Sequence, residues 1–237
     1  MTSSTVAKLS PDARAKLRNQ TKQYKELAGF VGDWGLQVDK EKLVKNIHKN
    51  LMGVDSLGRL RPYEDLAFFL IFANQYNLNP FKKEIYATYQ KVKKGNQWIA
   101  QITPITSIHG LRRLARQSKN PRYAYTGDAE LVIDEKGMPS SAKVPVYGLF
   151  EGDTTPIKLG SYTAYYDEFV KTKTDKDGSV YVTGKWKTAP KMMLTKCAEA
   201  NAIRQCFDIS GLYIEEEIVG PDDKIIEFGS NTKEDED

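Results

Sequence analysis

Cysteine and histidine are scarce in this chain, with two of each among 237 residues. Cys197 and Cys206 lie nine positions apart in one expected helix. At about 1.5 Å per residue they stand about 13 Å apart, too far for a disulfide. They read as small core residues of a reducing compartment. His48 and His109 share no zinc-site spacing with either cysteine. A G-x-x-x-x-G-K-[ST] loop is missing, which excludes a P-loop ATPase, and so is a G-x-S-x-G elbow. No apolar run approaches the roughly 20 residues of a membrane span. Met1–Ser10 lacks the apolar stretch of a signal peptide, so a cytoplasmic protein is expected. Asp167-Glu168 and Glu215-Glu216-Glu217 are the acidic groups that a magnesium nuclease would use, but adjacent acids usually occupy turns and solvated helix ends. The expectation is no enzyme, no metal and no cofactor.

What the sequence does have is positive charge, unevenly spread. The formal net charge is +4, with hydrophobic residues at 40% and charged residues at 28%. From Ile214 onward there are ten acidic residues and two lysines. The preceding residues carry 33 basic against 21 acidic side chains. A basic body suits a polyanionic partner, most often nucleic acid. The other class it suits is a basic structural or adaptor protein that binds acidic protein partners.

Three regions follow: an arm at 1–35, whose weakly amphipathic helix needs its own body or, as expected here, another subunit to pack on, a core at 36–220 and an acidic, disordered tail at 221–237. Ser10-Pro11-Asp12 starts a helix with a cap and a first-turn proline. A second helix is expected from Asp39 to Met52, with Leu43, Ile47 and Leu51 as its apolar stripe and Gly53 as its stop. Lys42, Lys45 and Lys49 face away from that stripe. A third helix over Pro62–Asn77 is apolar all round and ends at Asn79-Pro80. Alternating residues then predict a hairpin, 84–91 and 97–102, around Lys93-Lys94-Gly95-Asn96. A helix near Ile105–Gln117 precedes strands at Tyr123–Ile133, Ala142–Phe150 and Ile157–Tyr165. Lys171–Gly178 reads as a flexible, lysine-rich loop. A long helix runs from Ala189-Pro190 to Phe207. The predicted class is α+β: a small antiparallel sheet with hairpins, flanked by helices that include a long C-terminal core helix.

Within this frame, His109, Arg112, Arg113 and Arg116 fall on one helix face. Three arginines with no acid in the same helix favour a nearby anion, and the guanidinium fork suits phosphate. On the last helix, Arg204 sits in the apolar side with Met193, Cys197, Ala200 and Phe207. A buried arginine needs either an internal carboxylate or a groove that admits phosphate. Lys191 and Lys196 project elsewhere around this helix. Lys187 stands beside Trp186, which as an exposed ring would stack on a base and otherwise belongs to the core.

Two segments resemble the RecT/Redβ single-strand annealing family, the phage Bet group in particular. Ala73-Asn74-Gln75-Tyr76-Asn77-Leu78-Asn79-Pro80-Phe81 with Lys83-Glu84-Ile85-Tyr86-Ala87 resembles the family's A-N-Q-Y-G-L-N-P-[WF]-x-K-E-I-Y-A. The second comprises Gly184-Lys185-Trp186, Pro190-Lys191-Met192-Met193-Leu194, Arg204, Gly211-Leu212-Tyr213 and Glu216-Glu217. Between them, Gly110-Leu111-Arg112-Arg113 is similar to a third element, with His109 where an aspartate is common. The resemblance spans roughly residues 60–218. It implies a binder of single-stranded DNA and of the annealed duplex. It also implies ATP-independent pairing and homo-oligomers, either rings or helical filaments. The implied partners are a phage exonuclease and the host single-strand binding protein. The setting it implies is a bacterial cytoplasm and a phage or prophage gene. It further implies a DNA groove lined at Lys83, Lys171, Lys191 and Arg204, with Trp186 at the family's tryptophan and Lys173 able to replace Lys171. The chain ends soon after the core, which puts partner recruitment in question.

Overall fold

The structure is a computed structural model that describes residues 11–34 and 36–217. The first ten residues and Gly35 of the expected arm, and the whole of the expected acidic tail, lie outside the described residues. The described chain forms two compact units, one of residues 11–89 and 102–114, the other of 90–101 and 115–217. The division falls within the expected core and cuts through a hairpin and a helix.

The first unit is built on helices. Helix α1, Pro11–Leu27, buries Tyr24 and Leu27 at its C-terminal end. Val31 and Trp34 continue the same core, so the end of the expected arm packs on its own chain. Helix α2, Lys40–Asn46, starts at Asp39, whose carboxylate accepts hydrogen bonds from the Glu41 and Lys42 amides. It runs into a wider π turn, Ile47–Leu51. The turn alters the expected stripe: Leu43, Val44, Ile47 and His48 are buried, while Leu51 is exposed. A π turn adds a residue per turn, which shifts the inward face. Helix α3, Tyr63–Gln75, buries Leu66, Phe69, Leu70 and Ala73. Phe68 and Ile71 remain exposed, so its apolar circumference is covered on one side only among the described residues.

Strand β1, Ile85–Lys94, pairs with β2, Gln97–Thr106, through a turn in which Gly95 takes φ 60°. Ile105 and Thr106, expected to open a helix, complete β2 instead, and helix α4 occupies Ile108–Gln117. Gly110 lets α4 approach β1 closely. A Cβ there would stand 2.4 Å from the Glu84 carbonyl oxygen.

The second unit is a sheet with a helix across it. The expected strand at Tyr123–Ile133 is two strands, β3, Tyr123–Thr126, and β4, Glu130–Ile133. Both pair antiparallel with one edge of β5, Pro139–Leu149, and β6, Ile157–Tyr165, pairs with the other. A short helix α5, Tyr166–Phe169, follows. The expected loop at Lys171–Gly178 is largely a hairpin of β7, Thr172–Thr174, and β8, Val180–Val182. A one-turn helix α6, Gly184–Thr188, leads into α7, Pro190–Phe207. Ala142, Val144 and Ala164 of the sheet form one core with Trp186, Met193, Leu194, Cys197 and Ala198. Small residues on both sides let helix and sheet lie close, and a Cβ on Gly160 would stand 2.9 Å from the Cys206 sulfur. Both cysteines are free thiols, and burial pushes both upward in pKa. No helix of the described residues is long and apolar enough to cross a membrane.

Candidate nucleic-acid interface

The cations expected to meet phosphate differ in exposure and in what holds them. Lys83 is exposed at the end of a short 3-10 turn, Pro80–Lys82, and takes a left-handed φ of 57°. Asn79 holds that turn, since its side chain accepts from the Phe81 and Lys82 amides. Arg116, Lys187 and Lys191 are likewise exposed, while Arg112, Lys171 and Lys173 are half-buried. Arg113 is tied inward. Its guanidinium donates to the Glu84 carboxylate and to the Asn77 carbonyl, each at 2.5 Å. Glu84 is buried and also accepts from the Asn79 amide at 2.7 Å. Arg113 and Glu84 thus neutralise each other under the helix–strand junction. Of the expected arginine face, Arg116 and His109 are the exposed members.

Two residues of the expected interface, Trp186 just before the last helix and Arg204 on it, are turned inward. Trp186 is not an exposed stacking ring: it is 2% exposed and packs edge-on against Tyr166. The reason is the one-turn helix α6, which turns the indole inward and leaves Lys185 and Lys187 outside. Arg204, expected to line an open trough, has found an internal carboxylate. It forms a two-pronged pair with Glu217, one arm at 2.7 Å, and both side chains are largely buried. It also donates to the Leu212 carbonyl at 3.1 Å and the Asn201 side-chain oxygen at 2.9 Å.

The rest of the 214–217 segment is held the same way. Lys196 meets the Glu216 carboxylate at 3.1 Å, and Lys171 donates to the Glu215 carbonyl at 2.7 Å. Glu217 in turn accepts from the Ile214 amide and the Asn201 side chain. Arg204, Lys196 and Lys171 therefore clasp the 214–217 segment, and the charges of Arg204 and Lys196 are spent on its carboxylates. Beside the clasp lies an open cavity of about 450 Å³, with Tyr162, Arg204, Leu212 and Tyr213 in its wall. Among the described residues, no group of three or more His, Cys, Asp or Glu could hold a metal ion. Of the three glutamates, Glu216 and Glu217 are ion-paired, to Lys196 and Arg204.

The family comparison bears directly on these segments. The RecT family profile matches residues 59–231. This chain belongs to the RecT family. It is 26% identical over 199 residues to the recombination protein bet of Escherichia phage lambda. That alignment covers 83% of this chain and 64% of the phage protein, so the chain spans less than two thirds of that relative's length. No solved structure matches the chain. Within this RecT-family chain the motif residues have legible structural tasks. Asn77, where the quoted pattern has glycine, takes φ 48° just beyond α3, a left-handed position that glycine and asparagine tolerate best. Gly211-Leu212-Tyr213 and Glu216-Glu217 build the clasp.

Several exposed side chains lie outside the expected interface. Trp98 is the exposed tryptophan, at 61%, on the second strand of the hairpin. Lys91, Lys93 and Lys94 are exposed on the first strand and turn. One signal would have found them. From Ile85 to Gly127 there are eight lysines and arginines and no acidic residue. Such a stretch has no local counter-ion, so any pairing must come from distant chain, as Glu84 provides for Arg113.

Proposed function

We propose that this chain binds single-stranded DNA and anneals complementary strands without ATP, as a non-catalytic component of phage-type recombination. The observation that carries the reading is the acid-free stretch from Ile85 to Gly127, with exposed lysines and an exposed tryptophan on one hairpin. Membership of the RecT family and likeness to a phage recombination protein support it. Annealing asks two things of a protein. It must neutralise phosphates so that two like-charged strands approach, and it must leave base edges free to pair. Lysine and arginine side chains do the first by releasing condensed counter-ions. Phosphate contacts carry no sequence information, so binding tolerates any sequence.

The side chains assigned to phosphate are the exposed ones: Lys83, Arg116, Lys187 and Lys191, with Lys91, Lys93 and Lys94 of the hairpin. Lys173 and Arg112 belong to the same reading as half-buried neighbours of these elements. Lys171, Lys196 and Arg204 contribute by holding the 214–217 clasp rather than by touching DNA. One subunit covers few nucleotides, so affinity is built by repetition along a ring or filament. An exonuclease that exposes the strand and a host single-strand binding protein are the partners this activity calls for.

The test is a mobility shift with a single-stranded oligonucleotide at two salt concentrations, followed by pairing of dye-labelled complementary strands without nucleotide. Salt-sensitive binding and pairing above the spontaneous rate are expected. Failure to retain single-stranded DNA at low salt overturns the reading and favours an adaptor for acidic proteins.

A further inference from the structure

The sheet of the second unit has two faces, and only one is occupied by α7. Along β5, Ala142, Val144 and Val146 are buried, the first two against the helix. The pleat sends the alternate residue Tyr147 to the other face. Its partner across β3 is Tyr125, and its partner across β6 is Lys158. Tyr125 and Tyr147 stack with ring centroids 5.4 Å apart and planes 19° from parallel. Tyr123 continues the pile, 6.0 Å beyond Tyr125. It ends the pile with 48% of its surface exposed, and Tyr125 is 36% exposed.

Four features make this pile unlike core packing. Its rings are outside the α7 core. It has cations beside it in the sheet and the chain: Lys158, the partner of Tyr147 across a bulge in β6, and Lys119 and Arg122, which precede Tyr123 in sequence, all exposed. The one acid paired into this face, Glu130, is matched by Lys143 at 3.9 Å. Gly127 also leaves room for the pile, since a Cβ there would stand 2.8 Å from the Tyr147 ring.

We propose that Tyr123, Tyr125 and Tyr147, with Lys158, form a stacking platform for unpaired bases of single-stranded DNA. The platform rests on the DNA-binding reading above and adds a base contact to it. Flat rings with nearby positive charge suit bases and backbone together, and every base presents a π face, so the platform is sequence-tolerant. Stacking holds a base by its face and leaves its pairing edge open, which is the condition annealing imposes. The occupant is therefore a displaced or unpaired strand. A second copy of this chain or an aromatic peptide on the same face would show as stacking that DNA does not alter.

The experiment uses the full chain and two oligonucleotides of equal length, one normal and one abasic, so that phosphate charge is the same. Binding is read by fluorescence anisotropy. The unaltered protein is expected to prefer the normal strand by about tenfold or more, the range of one aromatic–base stack. Tyr123→Leu and Tyr125→Leu are expected to lose most of that preference while keeping the salt dependence. Tyr123→Phe and Tyr125→Phe should retain it. A single 2-aminopurine flanked by abasic sites gives a second reading on the unaltered protein, because its emission falls when it stacks. Equal affinity for both strands, leucine variants that keep the full preference, or unchanged 2-aminopurine emission each overturn the platform alone. Binding of neither strand overturns the DNA reading and the platform with it.

Discussion

Arg204 and Glu217 show how far a single side chain can be read without its surroundings. An arginine in the apolar side of a helix required a partner, and the sequence left a carboxylate and a phosphate equally open. The partner is a carboxylate 13 residues on, in a run of three glutamates that looks from the sequence like the start of an acidic tail. Removing one member of a largely buried pair strands the other, at about 3–5 kcal/mol. Glu217→Ala should therefore lower unfolding stability by about that amount in urea titrations, and a loss below about 1 kcal/mol would mean that water reaches Arg204. Lys191 is the contrasting case: it is exposed. Lys191→Ala should leave the unfolding midpoint unchanged and reduce the salt slope of single-strand binding by about 0.7, the share of one phosphate. An unaltered slope removes Lys191 from the interface. For Trp186 the flanking lysines leave base stacking and core packing both open in the sequence, and the structure buries the ring. On a one-turn helix, flanking residues point elsewhere, so neighbours in the chain say little about the ring's exposure.

The elements that were legible are those with a strong period or a firm stop. Asp39, Gly53 and Ala189-Pro190 all sit within a residue or two of observed helix ends, while Asn79-Pro80 lies four residues beyond the end of α3 and opens the 3-10 turn that follows. Less legible were places where the period changes inside an element. The π turn after α2 exchanges Leu51 for His48 as the inward residue, and no local pattern announces it. The hairpin of β7 and β8 was hidden by its lysines, although Thr172, Thr174, Val180 and Val182 are β-branched and face each other across it. His48 has a measurable consequence. It is 1% exposed, its Nε2–H donates to the Arg61 carbonyl at 2.6 Å, and its Nδ1 accepts from the Tyr24 hydroxyl at 3.0 Å. The ring is thus held neutral, and burial lowers its pKa from the usual 6.5. The unfolded chain takes up a proton more readily than the folded one. The contribution of His48 is accordingly complete above about pH 6.5 and is lost as pH falls toward the depressed folded value. Urea unfolding at about pH 7.5 and about pH 5.5 should show lower stability at the acid end, less so in His48→Asn. A profile identical in the two proteins would mean that the folded ring protonates freely.

At the scale of the molecule, the α+β class and the antiparallel pairing were legible, while the division into two units was not. The expected core runs from 36 to 220, but one hairpin and one helix each contribute to both units, so chain order conceals the division. The proposed assembly into rings or filaments predicts that DNA changes the size of the particle. Electron microscopy of the protein with one oligonucleotide, then with its complement, should show ordered assemblies growing as the second strand is added. Particles of one size throughout would count against assembly on the annealed product.

The three tryptophans of this chain stand in very different surroundings. Trp34 and Trp186 are 5% and 2% exposed, whereas Trp98 on the hairpin is 61% exposed. Iodide dissolved in the buffer will therefore extinguish chiefly the long-wavelength light of Trp98. Any ligand or neighbour that covers the hairpin will shield it, so the protein carries a built-in optical gauge of what happens there, with no dye attached.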